Sequence, residues 1–197
     1  IRRQRQMCIR DRNKKDLKQY LEQDFKIFKD SPVTIKDFIL KNERWYIYHF
    51  IKHLRMTEYY INKYSEGGGK LQMLFHLFWL KYFSRKMNLT IYPNTVGPGL
   101  QLFHFGDFTH IAKGCKIGKN CTILPGVVFG KKDGTEIKTT VGDDCFFGLG
   151  VKILGTVHIG NNVTIGANAV VTKDIPNNAI AGGVPARIIK IKDENKE

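Results

Sequence analysis

Between Ile111 and Val171 an aliphatic or aromatic residue returns at every sixth position. Ile111, Ile117, Ile123 and Phe129 form one register, and Val141, Phe147, Ile153, Ile159, Ile165 and Val171 a second, twelve residues on, a gap of two repeat lengths. Gly follows at 118, 130, 142, 148, 160 and 166, and a small residue stands four places on at Cys115, Cys121, Val127, Cys145, Val151, Val157, Val163 and Ala169. A period of six fits neither a helix at 3.6 nor a strand at 2, so no single amphipathic element explains it. The constraint is a repeat architecture.

The spacing predicts a coil with three flat faces, each a short strand. The large apolar residue points inward and the small one fills the corner. The turns between faces need residues that accept positive φ or a close backbone approach, which accounts for the Gly and for Asn120, Asn162 and Asn168. One coil cannot bury its own faces, so coils stack and each strand pairs with the one eighteen residues on, giving roughly four to five coils.

These hexads resemble those of the hexapeptide-repeat acyltransferases, over about Asn88 to Lys190. The resemblance implies a left-handed parallel β-helix, and the hand comes from the family alone because crossovers are otherwise right-handed. The expected fold is therefore mainly β: a left-handed parallel β-helix at 87–190 preceded by a small all-α N-terminal domain at 13–86. Residues 1–12 and a polar tail at 191–197 flank it.

Charge is uneven. Residues 1–12 hold five Arg and one Asp, 13–86 fifteen basic and eight acidic residues, and 87–197 twelve and nine. The opening Arg-rich stretch reads as a translated adapter fragment rather than native chain, so that the native start is expected to be missing; a basic arm is the alternative. Three of the four cysteines occupy corner positions, as buried space-fillers rather than a disulfide set. A reducing, cytoplasmic setting is expected, and Leu71–Phe83 is too short and too interrupted to span a bilayer.

In the N-terminal part, Leu17, Tyr20, Leu21, Phe25 and Phe28 fall at helical spacing, Ser31-Pro32 ends that helix, and Thr34 caps the next. A second helix is predicted from Ile35 to about Tyr64, broken near Asn42, and a third over Lys70–Lys86 after Gly67-Gly68-Gly69. Trp45, Tyr46 and Tyr48 read as helical packing rather than a nucleic-acid platform, because they keep helical spacing and no nucleic-acid motif accompanies them. The third helix is apolar on most faces, which suggests an oligomer interface.

The chemistry concentrates in Gly97–Gly106, which is similar to the Gly-Leu-x-Ile-x-His segment of serine acetyltransferases and sugar O-acetyltransferases. The resemblance implies that His104 is the general base. A hydroxyl attacks a thioester only as its proton leaves, and imidazole is matched to that task near pH 7. The family's orienting Asp has no counterpart in Asn88–Pro93, so Asp107, Thr90, Asn88 or a backbone carbonyl is left to hold the ring. Where serine acetyltransferases bind the two charges of serine with an Asp and an Arg-His pair, this chain has Phe103 and a loop containing Lys132 and Lys138. An aromatic beside the base favours a sugar or glycan hydroxyl as acceptor, with serine as the alternative.

Ala181–Ile189 resembles the Gly-Val-Pro-Ala-Arg ending that lies along the CoA groove of these enzymes. The resemblance implies acetyl-CoA as co-substrate, with Gly148, Gly150, Gly166 and Ala167 as the small residues that let its arm approach, and simple charge makes Lys173 and Arg187 candidates for its phosphates. No metal is called for: His104, His110 and His158 lack the close spacing of a zinc site, and His110 and His158 read as surface residues. The family likeness further implies a homotrimer, with loop 131–140 reaching a neighbour's groove. A non-catalytic β-helix scaffold is the third reading.

Overall fold

The structure is a computed structural model and describes residues 14–29, 32–65, 67–131 and 138–192. The Arg-rich opening, Lys132 and the end of the polar tail lie outside the described residues. The chain divides into two compact units, at Met87 and Asn88.

The first unit is helical: α1 (Lys14–Asp24), a 3-10 turn (Phe25–Phe28), α2 (Ile35–Ile39), α3 (Glu43–Ser65) and α4 (Lys70–Met87). At the start of α2, Asp37 accepts hydrogen bonds from the Thr34 amide at 2.7 Å and hydroxyl at 2.9 Å. Asn42 Nδ2 donates to the same carboxylate, and these bonds hold it below the usual carboxylate range. The helix predicted from Ile35 is indeed two, because Lys41 sits at φ 53° and turns the chain between them.

Helices α3 and α4 run antiparallel, with Ile47, Phe50, Ile51, Leu54, Leu80, Phe83 and Met87 buried. Trp45 and Tyr46 meet Phe83 at 5.7 and 6.4 Å, and Tyr48 stacks on Phe25 at 4.3 Å. Those rings are spent on packing within the unit. The same core holds a charged cluster. Arg55 donates from Nε to Asp24 Oδ2 at 2.6 Å and from Nη1 to Glu58 Oε2 at 3.0 Å, all three side chains having no solvent exposure. No helix among the described residues is long and apolar enough to cross a membrane.

The second unit is a parallel β-helix of three sheets. The first sheet stacks β1 (Leu89–Ile91), β3 (Thr109–Ile111), β6 (Val128–Gly130), β9 (Lys152–Leu154) and β12 (Val170–Val171). The second stacks β4 (Lys116–Ile117), β7 (Thr140–Val141) and β10 (His158–Ile159), and the third β2 (Gln101–Leu102), β5 (Thr122–Ile123), β8 (Phe146–Phe147), β11 (Thr164–Ile165) and β13 (Ala179–Gly182). A final strand, β14 (Arg187–Ile191), returns antiparallel along β13.

Every hexad residue named above is buried. Partners lie eighteen residues apart where the repeat is unbroken, as for Ile111 with Phe129 and Ile153 with Val171. Across 130–140 the pairs Ile117 with Val141 and Ile123 with Phe147 lie twenty-four apart. The twelve-residue gap therefore carries only one step of the coil, from the first sheet to the second, with six residues added.

The glycines after the inward residues serve close approach. A Cβ on Gly142 would stand 2.7 Å from the Asn161 amide nitrogen of the next coil, and one on Gly160 2.6 Å from that of Asn177. Positive φ falls two residues later in the turn, at Asn120, Asp144 and Asn162 (53–58°). Cys115, Cys121 and Cys145 are buried free thiols, and burial pushes the Cys115 thiol up to about 12. Such a thiol is no nucleophile at neutral pH.

Candidate active site

Leu102 points inward on the third sheet in register with Ile123, which pairs in turn with Phe147, Ile165 and Ala181. The positions directly after them form a column along one corner: Phe103, Leu124, Gly148, Gly166, Gly182. From Leu102 to Ile111 the chain takes three residues more than from Ile123 to Phe129, although both pairs span the same corner. His104 lies in that bulge, exposed and at φ 61°. The repeat breaks where the candidate base stands.

The bulge is held closed. Asn88 donates from Nδ2 to the Gly106 carbonyl at 3.1 Å and accepts from the Thr109 amide at 3.1 Å. The Thr109 hydroxyl donates to the Asp107 carbonyl at 3.3 Å and accepts from the Gly126 amide at 2.9 Å. Asp107 stands over Gly126 of the next coil, its Cβ 3.6 Å from where a Gly126 Cβ would be. Thr90 lies beside His110 on the neighbouring rung. Of the groups considered for orienting His104, Asn88 is thus the one whose side chain ties down the segment that carries it.

Gly148, Gly150, Gly166 and Ala167 lie on this same corner, at most three rungs from His104, or roughly 14 Å at the spacing of paired strands. Three of the four have a structural duty. A Cβ on Gly148 would come 2.7 Å from the Ala167 nitrogen, Gly150 adopts φ 70°, and Ala167 supplies that crowding nitrogen. Gly166 does not: its nearest neighbour would be the Ala181 oxygen at 3.6 Å.

Arg187 sits opposite Gly182 across the last hairpin. The hairpin tip is fastened to the coil by Val170 N–H to Gly183 O (3.0 Å) and Ala186 N–H to Val170 O (2.8 Å). Arg187 therefore closes the glycine column, exposed to solvent. Lys173 follows Val171 of the first sheet, and Lys138 precedes β7, so both lie at the corner after the first sheet. That corner is a whole face from Phe103 and His104, roughly 15 Å at the rise of an extended strand.

His110 is not the plain surface residue the sequence suggested. It is half-buried, stacked on Phe108 at 5.6 Å and met edge-on by Tyr92 at 6.0 Å, and burial lowers its pKa. His158 is exposed and shares a 2.7 Å hydrogen bond with the Thr140 hydroxyl. The aromatic grouping around His110 escapes sequence reading because Tyr92 and Phe108 are sixteen residues apart and meet only through strand pairing.

The family model for the bacterial transferase hexapeptide (six repeats) matches residues 138–173. A serine acetyltransferase of Bacillus pumilus is 36% identical over 81 residues, covering 40% of this chain and 37% of the relative. One of Staphylococcus aureus is 35% identical over 105 residues, covering 52% and 49%. The chain thus spans about half or less of the length of these relatives. Among solved structures, the serine acetyltransferase of Neisseria gonorrhoeae superimposes with a TM-score of 0.68 at 25% identity, over 92% of this chain and 67% of that one. A serine acetyltransferase in complex with CoA gives 0.65 at 26%, over 89% and 71%. The repeat, the three-sheet coil and these likenesses make the chain a hexapeptide-repeat β-helix. Among proteins of that architecture it is similar to the serine acetyltransferases.

Proposed function

We propose that the protein is an acetyl-CoA-dependent O-acetyltransferase in which His104 is the general base. What carries this reading is the placement of His104, on a pinned bulge at the head of the glycine column that ends at Arg187. The acetyl thioester would lie along that corner, with Gly166 open to the arm and Arg187 facing the phosphates. His104 takes the proton of the acceptor hydroxyl as oxygen attacks the thioester carbon, and backbone N–H groups of the corner hold the developing oxyanion. The C–S bond then breaks and the thiol of CoA leaves with a proton. No covalent enzyme intermediate is needed.

The likeness to serine acetyltransferases favours serine as acceptor over the sugar hydroxyl that the sequence favours. One observation keeps the sugar reading: Phe103, beside His104, is 43% exposed, and an aromatic cannot pair with an ammonium group as a carboxylate does. Lys138 lies a face away from His104 within one chain, so its part in acceptor binding would be played toward a neighbouring copy's groove, in the homotrimer the resemblance implies. The test is thiol release from acetyl-CoA by the full chain, with serine and with sugars as acceptors. Failure of His104→Ala to slow that release would remove His104 from the mechanism.

A further inference from the structure

We infer that Tyr92, Phe108 and His110 form an acceptor subsite that takes the ring of a sugar, resting on the acetyl-transfer reading and narrowing its substrate class. The three side chains lie on or beside the outer face of the first sheet. Strand alternation sends Ile91 and Ile111 inward and leaves His110 outward, flanked by Tyr92 and Phe108. On the rungs that follow, the same outward column carries Val128, Lys152 and Val170. The aromatic shelf is thus confined to the two rungs that join the bulge bearing His104.

The shelf is open to a ligand. Phe108 is 53% and Tyr92 38% exposed, while His110 between them is half-buried, which disfavours its charged form. Phe108 is four residues from His104, along a segment that Asn88 ties down at Gly106 and Thr109, which keeps Phe108 and the base within at most about 14 Å of each other. A cyclic polyol presents C–H groups on one side, polarised by ring oxygens, and these suit the negative face of an aromatic. Its hydroxyls stay at the rim, and transfer requires one of them to come within hydrogen-bond reach of His104. A serine zwitterion has no such side and would leave both charges over apolar rings.

The experiment compares wild type, Phe108→Ala and Phe108→Trp in thiol release from acetyl-CoA, with serine, N-acetylglucosamine and UDP-N-acetylglucosamine as acceptors. Wild type is expected to use a sugar with serine at under about a tenth of its kcat/KM. Phe108→Ala should raise the sugar's KM about tenfold with kcat within about threefold and the KM for acetyl-CoA unmoved, and Phe108→Trp should restore it. Preference for serine with a KM that Phe108→Ala leaves alone overturns the subsite but keeps the transferase. A wild-type chain that neither binds acetyl-CoA nor releases thiol overturns both. A change in oligomeric mass on Phe108→Ala shows the shelf to be a seam between copies, and overturns it too.

Discussion

The β-helix and the helical unit bury different things. Inside the coil the described buried side chains are Val, Ile, Leu, Phe, Ala and Cys with three Thr and two Pro, and polar needs are met by backbone bonds running from rung to rung. The helical unit buries an Arg, an Asp and a Glu together beneath its aromatics. Each coil thus repeats one local solution, so that its interactions are set by neighbours one rung away. The helices depend on a few unique partners brought from far along the chain. The first arrangement tolerates a bulge such as 103–108 without losing its core; the second is expected to fail as a whole when one member is removed.

The largest expected effect tests the site on the tolerant side of that contrast. His104→Ala should lower acetyl transfer by about 10²–10⁴-fold while CoA binding, measured by calorimetry, and the far-ultraviolet β signal stay as they were. The helical unit offers the opposite case. Arg55→Met leaves two buried carboxylates without their guanidinium and should cost about 3–5 kcal/mol, read as early loss of the helical signal in urea. If the β signal is lost along with it, the two units do not unfold separately and the contrast breaks.

Smaller effects sharpen it. Gly148→Ala forces a Cβ onto backbone of the next coil and should destabilise the β-helix by about 1–3 kcal/mol in chemical denaturation. Acid should weaken the helical unit. His53 Nδ1 lies 3.0 Å from His76 Nδ1, and burial, then the neighbouring His76, pull the His53 pKa down to about 4 from 6.5. The folded state therefore binds fewer protons than the unfolded one between those values, so stability is complete above pH 6.5 and is lost as pH falls toward 4. The loss should be about 1 kcal/mol after solvent screening, and His53→Phe should flatten it. Gly166→Ala is the smallest in stability, within about 0.5 kcal/mol, because space is open there. If the acyl-carrying arm runs along the column, that change should still raise the KM for acetyl-CoA.

The coil was legible because its period is imposed by geometry at every rung. Ile123, Phe147 and Ile165 can be placed on one face by counting sixes, and Asn120 and Asn162 at the turns by their tolerance of positive φ. Counting failed at 130–140, where a loop whose length happens to be a multiple of six hid the excursion. His104 was readable from its motif, but nothing in Asn88-Leu89-Thr90 announces that the Asn88 amide would fasten Gly106. Lys173 and Arg187 look alike as free cations in sequence, yet only Arg187 shares a corner with the glycine column.

By itself the sequence determined the inward residues and the corner spacing and singled out His104 as the candidate base, because those follow from steric periods and side-chain chemistry that act over a few residues. Only the tertiary structure decided which corner each candidate occupies, how the bulge at 103–108 is closed, and that Tyr92 and Phe108 meet around His110. Those outcomes depend on register between rungs, and register is a property of stacked coils that no single hexad contains.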